Sequence, residues 1–423
     1  MWRALYTFLW LLVLPLAVSR LLWRGRSEPG YRADIGERLG RYRDVAHFQG
    51  AWWIHAVSVG EIRASEPIVR ALLARDEHAL VLLTQMTPTG RRTALELFAA
   101  VPSRVRVAYL PYDLPWLVGA FMRRFRPRAA ILMETEIWPN LLQQAKKEGI
   151  PTILANARLS RKSADRYALL GPFARDTFGC LGAVAAQSEA DARRLEHLGA
   201  PPATVTGSVK FDVQVPDSAA TLAAHFQRLI GSRRVILAAS TRDGEESGIL
   251  DAFLARATED DLLVVVPRHP QRFDAVAALI EARGARLQRR SSDQAVAMET
   301  RAWLGDSMGE MFAYFCAAQV TLIGGSWKPL GGQNLIEACA VGTPVIVGPH
   351  TFNFDEITRL AITSGAAIRA PDVAAGFEAA IELLGDAGRR EAMSAAGRQF
   401  AAQHRGATLR TLAVLDATLA GNG

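Results

Sequence analysis

Several short stretches carry acids, bases or anion-binding groups where an apolar run gives way to a turn. His55-Ala56-Val57-Ser58-Val59-Gly60-Glu61 leaves one such run and enters a helical pattern. Ser58 and Glu61 are spaced as a capping box, in which each side chain satisfies a backbone N–H at the helix start. The same spacing serves a second reading: Gly60 lets the backbone turn tightly, and Glu61 is aimed into a cleft as a general base for a substrate hydroxyl. Thr87-Pro88-Thr89-Gly90 is a helix start with proline at the first helical position. Met133-Glu134-Thr135-Glu136-Ile137-Trp138-Pro139-Asn140 sends an apolar strand straight into two carboxylates at i and i+2. If the strand continues, both point to one face, where their mutual repulsion raises one pKa; the alternative is a solvated loop with capping acids. Gly207-Ser208-Val209-Lys210-Phe211-Asp212 places one of only five lysines at the end of the first half. Lys210 there either neutralises developing negative charge or is a surface residue in a hinge.

The second half concentrates anion-binding features. Pro267-Arg268-His269-Pro270 follows a continuous apolar run, so Arg268 and His269 are candidates to grip a phosphate or carboxylate. Gly305-Asp306-Ser307-Met308-Gly309-Glu310-Met311 is a glycine-containing turn before a helix, or a simple cap. Gly324-Gly325-Ser326-Trp327-Lys328-Pro329-Leu330-Gly331-Gly332-Gln333-Asn334-Leu335-Ile336-Glu337 reads as strand, glycine-rich loop and helix. That order presents backbone N–H groups and a helix dipole to a phosphate. Glu337 lies one turn after Asn334, placed to accept hydrogen bonds from ribose hydroxyls. The spacing matches neither a P-loop nor the G-x-G-x-x-G dinucleotide fingerprint. No D-x-D pair, H-E-x-x-H or paired-cysteine motif occurs, so no metal site is expected.

The elements that must position these residues follow from hydrophobic periodicity. Short apolar runs alternate with helical patterns from residue 51 onward, the rhythm of parallel α/β units. Strands are expected at 52–57, 80–84, 105–110, 129–133, 152–155, 183–186 and 204–206, then at 235–239, 262–266, 295–298, 320–323 and 344–347. Residues 371–420 are alanine-rich and read as helical. The polar, proline-containing stretch Phe211–Ala220 reads as a linker. The expectation is therefore an α/β chain of two Rossmann-like domains facing a central cleft. Its parts are a membrane anchor over residues 1–26, a first domain over 27–212, a linker over 213–220 and a second domain over 221–423.

Composition agrees with that size. The chain has 423 residues, 50% hydrophobic and 22% charged, which excludes a disordered tail, a collagen-like chain and a polytopic membrane protein. Three scattered cysteines are too few for a disulfide framework. The net charge of +7 is concentrated between residues 20 and 43, where seven arginines meet only Glu28, Asp34 and Glu37. Arginines beside an apolar run, without interleaved aromatics suited to base stacking, argue against nucleic acid. Ala4–Trp23 as a helix would be roughly 30 Å long, about one hydrocarbon thickness, although Pro15 and Arg20 spoil it as a strong span. A cleaved signal peptide is the rival reading, because Ala17-Val18-Ser19 resembles a cleavage site. The arginines follow the apolar run rather than precede it, which favours an uncleaved anchor or interfacial helix with the following chain in the cytoplasm.

The motifs in order (HAVSVGE, TQMTPTG, METEIWPN, NARLS, TGSVKFD, STRDGEE, VPRHPQRF, GDSMGE and GGQNLIE) resemble the 3-deoxy-D-manno-oct-2-ulosonic acid (Kdo) transferases of lipopolysaccharide biosynthesis. The resemblance runs from Arg24-Gly25-Arg26 to Gly348-Pro349-His350-Thr351-Phe352-Asn353-Phe354. It implies the glycosyltransferase B fold and inverting transfer of Kdo from CMP-Kdo to a lipid A precursor (lipid IVA), without a metal or other cofactor, on the cytoplasmic face of the inner membrane. It further implies Glu61 as general base and Glu134 and Lys210 as transition-state stabilisers. Arg268-His269, Met308-Gly309-Glu310 and Asn334-Leu335-Ile336-Glu337 match the family's CMP-binding loops. Trp327-Lys328-Pro329-Leu330 and the arginine in Thr241-Arg242-Asp243-Gly244 depart from the pattern. Two rivals remain: a sugar-nucleotide 2-epimerase of the same fold, and a non-catalytic, membrane-tethered nucleotide-binding protein.

Overall fold

The computed structural model describes residues 2–26 and 28–421. The expected domain boundary at Ser27 lies outside them. The chain divides into two compact units, Met1–Asp212 with Gly406–Gly423, and Val213–Arg405.

The first unit is built on β1 (Trp52–His55), β2 (Val81–Gln85), β3 (Val105–Tyr109), β4 (Ala129–Met133), β5 (Thr152–Ala157), β6 (Ala183–Ala186) and β7 (Ala203–Val205). They form one parallel sheet in the order β3-β2-β1-β4-β5-β6-β7. A strand covered on both faces reads as a nearly continuous apolar run, and β1, β2 and β4 are buried throughout, with His55, Thr84 and Gln85 as buried polar residues at the carboxyl ends of β1 and β2. Successive side chains serve opposite faces: Trp53 and Leu132 join one core, Ile54 and Ile131 the other.

The second unit repeats the plan with β8 (Arg234–Thr241), β9 (Asp261–Pro267), β10 (Leu287–Arg289), β11 (Ala302–Leu304), β12 (Val320–Ile323), β13 (Val345–Val347) and β14 (Ala367–Arg369). Its parallel order is β10-β11-β9-β8-β12-β13-β14. Each sheet reverses direction of growth once, at β1/β4 in the first unit and at β8/β12 in the second. Ligands of such sheets bind beyond the carboxyl ends of the strands at that reversal.

Three strands escape the periodicity reading and one expected strand is absent. β10, β11 and β14 have only three residues each, which leaves little period to display, although the equally short β7 and β13 are expected from their apolar runs. Ala295–Met298 is not a strand. The Gln288 amide donates to the Ala295 carbonyl (3.1 Å) and accepts from the Ala297 N–H (2.7 Å), while the Val296 N–H donates to the Leu229 carbonyl (2.7 Å). Those partners replace a ladder.

The carboxyl-terminal boundary also differs from expectation. The helix Ala407–Ala420, placed by the sequence in the second domain, packs into the first unit against β5 and β6, burying Leu412 and Leu415 in the core. Its start is held by Asp212, whose carboxylate accepts the N–H groups of Gly406 (2.6 Å) and Thr408 (2.5 Å). Arg410 donates to the Thr206 carbonyl (2.9 Å), and Arg75 pairs with Asp416 (3.0 Å). The expected linker is likewise shorter, because a helix already runs over Ser218–Ile230. Asp212→Ala removes the acceptor of two helix-start donors and is expected to cost about 1–2 kcal/mol. Thermal unfolding measures it, and an unchanged midpoint would show that Asp212 does not fix the returning helix.

Candidate active site

At the β1/β4 reversal the chain assembles a buried cluster of carboxylates. Ser58 caps the helix Val59–Arg75: its hydroxyl accepts from the Glu61 N–H (3.3 Å) and donates to Glu61 Oε1 (3.0 Å), while Glu61 Oε2 accepts from the Val57 N–H (2.7 Å). The capping box is thus formed, and its hydrogen bonds fix the orientation of the Glu61 carboxylate. Burial pushes the Glu61 pKa up, the Val57 N–H partly opposes this, and the charge of Glu134 raises it further.

The second motif does not continue as strand. β4 stops at Met133, and Glu134 takes a left-handed backbone conformation, φ +52°. That region is uncommon for a residue with an ordinary side chain and costs of order 1–3 kcal/mol unless its surroundings enforce it. Here they do. Glu134 is buried and meets Lys210 Nζ at 2.9 Å and Arg158 Nε at 2.6 Å. Asn156, itself at φ +52° beside a register shift between β5 and β6, donates to Glu134 (3.4 Å) and accepts from the Val209 N–H (3.2 Å). Burial alone would raise the Glu134 pKa, but Lys210 and Arg158 outweigh it and hold the group ionised.

Glu136 ends differently despite lying two residues away. Trp138 Nε1 donates to it (2.7 Å), and burial, then Glu61 and Glu134, push its pKa up to about 7. Two carboxylates of one motif therefore differ in protonation because only one has cations. The solvated-loop alternative does not hold. His55, fully buried and bonded through Nδ1 to Thr84 Oγ1 (2.9 Å), lies 3.7 Å from Glu136. Burial holds its pKa down to about 3, so it faces Glu136 as a neutral ring.

The second unit places its expected loops along one sheet edge. Arg268-His269 follows β9, Met308-Gly309-Glu310 follows the neighbouring β11, and the glycine-rich loop follows β12 beyond β8. The pKa of His269 is lowered by burial and by Arg268, Arg242 and Arg272 around it. This concentration of positive charge suits an anion. Arg272 is held in place by Glu246 (Nη2–Oε2 3.0 Å) and Asp243 (3.1 Å). Glu310 accepts from Arg290 (3.2 Å) and from the Ser307 hydroxyl, and Met308 is exposed.

The glycine-rich loop works otherwise than expected in its first part. The N–H groups of Gly325 (2.7 Å) and Trp327 (3.0 Å) are accepted by the buried carboxylate of Glu245, which also accepts from the Arg242 N–H (2.8 Å). An internal anion therefore occupies the position proposed for a phosphate. Gly324 is there for close approach, since a side chain would collide with the Ser240 carbonyl. In the second part Asn334 donates to Glu337 (3.0 Å) and accepts from the Ile336 N–H (3.0 Å), which fixes both polar side chains. The side chains of Leu335 and Ile336 are buried in the core, so these two residues can offer a ligand only backbone groups.

A family model described as 3-deoxy-D-manno-octulosonic-acid transferase (kdotransferase) matches residues 33–213. The 3-deoxy-D-manno-octulosonic acid transferase of Bordetella pertussis is 44% identical over 98% of this chain and 99% of its own length. The chain belongs to the Kdo transferase family. The corresponding transferase of Haemophilus influenzae is 36% identical over the whole of both chains. Among solved structures, the UDP-GlcNAc 2-epimerase of Neisseria meningitidis bound to UDP-GlcNAc covers 87% of this chain and 99% of its own at a TM-score of 0.59. At 14% identity that likeness shows the fold alone. This Kdo transferase family member is thus a glycosyltransferase with two parallel-sheet α/β units of the glycosyltransferase B type.

Sequence reasoning did not single out Arg158, Asn156, Glu245 or Arg272. Arg158 and Asn156 lie within Asn156-Ala157-Arg158-Leu159-Ser160, one of the motifs that carry the resemblance, where the local signal is a polar pair ending an apolar strand. Lys210→Met is expected to destabilise the first unit by about 3 kcal/mol, because it leaves Glu134 buried with a single cation. Urea unfolding checks this, and Glu134→Gln added to Lys210→Met should recover part of the loss. Additive losses in the double variant would contradict the coupling.

Proposed function

We propose that the protein transfers Kdo from CMP-Kdo to a hydroxyl of a lipid A precursor, lipid IVA, with inversion at the anomeric carbon and no metal ion. Glu61 takes the acceptor hydroxyl proton as the new bond forms between that oxygen and the anomeric carbon. The bond from that carbon to the CMP phosphate breaks, and CMP leaves with the electron pair. The observation that carries this reading is the contrast between Glu61 and Glu134. Glu61 has a raised pKa and hydrogen bonds that aim its carboxylate, as a base requires. Glu134 is kept ionised by Lys210 and Arg158, which suits stabilisation of a cationic sugar-like transition state. Arg268, with Arg242 and Arg272 about His269, supplies positive charge of the kind a departing phosphate needs. The amino-terminal helix and the arginines after it support action at the cytoplasmic face of the inner membrane, where the acceptor is a lipid.

Purified protein incubated with CMP-Kdo and tetraacylated lipid A precursor should release CMP and yield a glycosylated lipid, read by mass spectrometry. Absence of both products would reject the substrates. Glu61→Gln should lower turnover by roughly 10²–10⁴-fold while CMP affinity is kept, and a fully active variant would reject the base role.

A further inference from the structure

The helix Trp2–Arg24 has the length and apolar character of a membrane span. Its contacts give it a different orientation. The less exposed residues Tyr6, Trp10, Leu14, Ala17 and Leu21 recur at helical spacing and form one stripe from end to end. At the amino-terminal end the Tyr6 hydroxyl donates to Asp113 (2.9 Å), Asn140 donates to Thr7 (3.1 Å), and Trp10 donates to Tyr6 (2.7 Å). The Tyr6 ring lies 5.8 Å from Phe173, and that of Trp10 lies 5.8 Å from Tyr112. At the other end Arg32 donates to the Leu22 carbonyl (2.9 Å) and Arg24 covers the Tyr31 ring at 4.3 Å. Next to Tyr31, the Gly30 carbonyl accepts from Tyr109 (3.3 Å).

These two ends of the helix, Tyr6 and Leu22, are roughly 24 Å apart along its axis. They are tied to Asp113 and, through the turn at Gly30, to Tyr109, two residues only four positions apart, at the end of β3 and in the loop that follows it. Four residues of extended chain reach at most about 14 Å, less than half of a hydrocarbon core of about 30 Å. A helix that crossed the bilayer would carry Tyr6 and Thr7 to the far side together with Asp113 and Asn140, which are buried polar groups of the globular unit. The opposite stripe, Leu5, Leu9, Leu12, Leu16 and Trp23, is exposed. Leu169 and Leu170 extend this apolar surface, just before the helix that carries Phe173, and Arg161, Lys162 and Arg166 flank it.

We propose that the amino-terminal helix does not cross the membrane: it lies in the plane of one leaflet, docked by one stripe on the first unit and buried by the other among the acyl chains of an anionic bilayer. The arginines that follow the helix, with those beside Leu169, meet the headgroups, so charge and apolar area point to the same occupant. This inference rests on the membrane reading proposed above and adds the topology.

The test uses the full-length protein with Cys180→Ser and Cys316→Ser, expressed in a Gram-negative host. One form carries Trp2→Cys and another Ser103→Cys, both at exposed positions. Spheroplasts are treated with a membrane-impermeant maleimide before and after permeabilisation. The expected result is a membrane-bound protein of full length in which both thiols react only after permeabilisation. Reaction of the Trp2→Cys form in intact spheroplasts, with the Ser103→Cys form protected, would establish a span and overturn the proposal. Recovery in the soluble fraction would instead overturn the membrane reading on which it rests, and a shortened chain would show cleavage and overturn both.

Discussion

The first unit depends on how one buried charge is kept. Glu134 is removed from water at the point where its sheet reverses, and an unpaired carboxylate there would protonate rather than stay ionised. Lys210, brought from the end of the unit, and Arg158, brought from the end of β5, prevent that. The left-handed backbone of Glu134 and Asn156 is the local cost of aiming these groups at one another. Burial raises the pKa of Glu61, with the charge of Glu134 adding to it, and burial followed by the charges of Glu61 and Glu134 raises Glu136 to about 7. The different pKa shifts of these three carboxylates thus come from burial together with where the cations sit.

The second unit solves the reverse problem. Its switch point concentrates arginine, and without internal anions those side chains and the glycine-rich backbone would be poorly ordered. Glu245 and Glu246 supply them. Glu245 gathers three backbone N–H groups and so rigidifies the first half of the loop, while Glu246 orients Arg272. Arg268 and the arginines about His269 remain the concentration of positive charge on that edge.

Much of this was legible in the sequence because parallel α/β units write themselves as apolar runs followed by polar turns. The two sheets, the position of Glu61 in a helix cap and the order of the polar loops after β9, β11 and β12 follow from that pattern. Other features depend on distance in space. Nothing local to Glu134 and Glu136 shows that Lys210 and Arg158 reach only the first, and a strand continuing through them was a reasonable but wrong geometry. Glu245 lies some eighty positions before the N–H groups it accepts, so the glycine-rich loop read as open for phosphate. The alanine-rich end read as part of the second domain because its return to the first unit rests on Asp212, a contact across 194 positions.

The central claim, that burial and the Glu134 charge poise Glu61 as the base, is tested most directly by the pH dependence of kcat/KM for Kdo transfer. A general base works only when ionised, so activity must fall as the pH drops through its pKa. The account predicts an acid limb above the ordinary glutamate value of about 4.3. A profile that stays flat down to that ordinary value would contradict it.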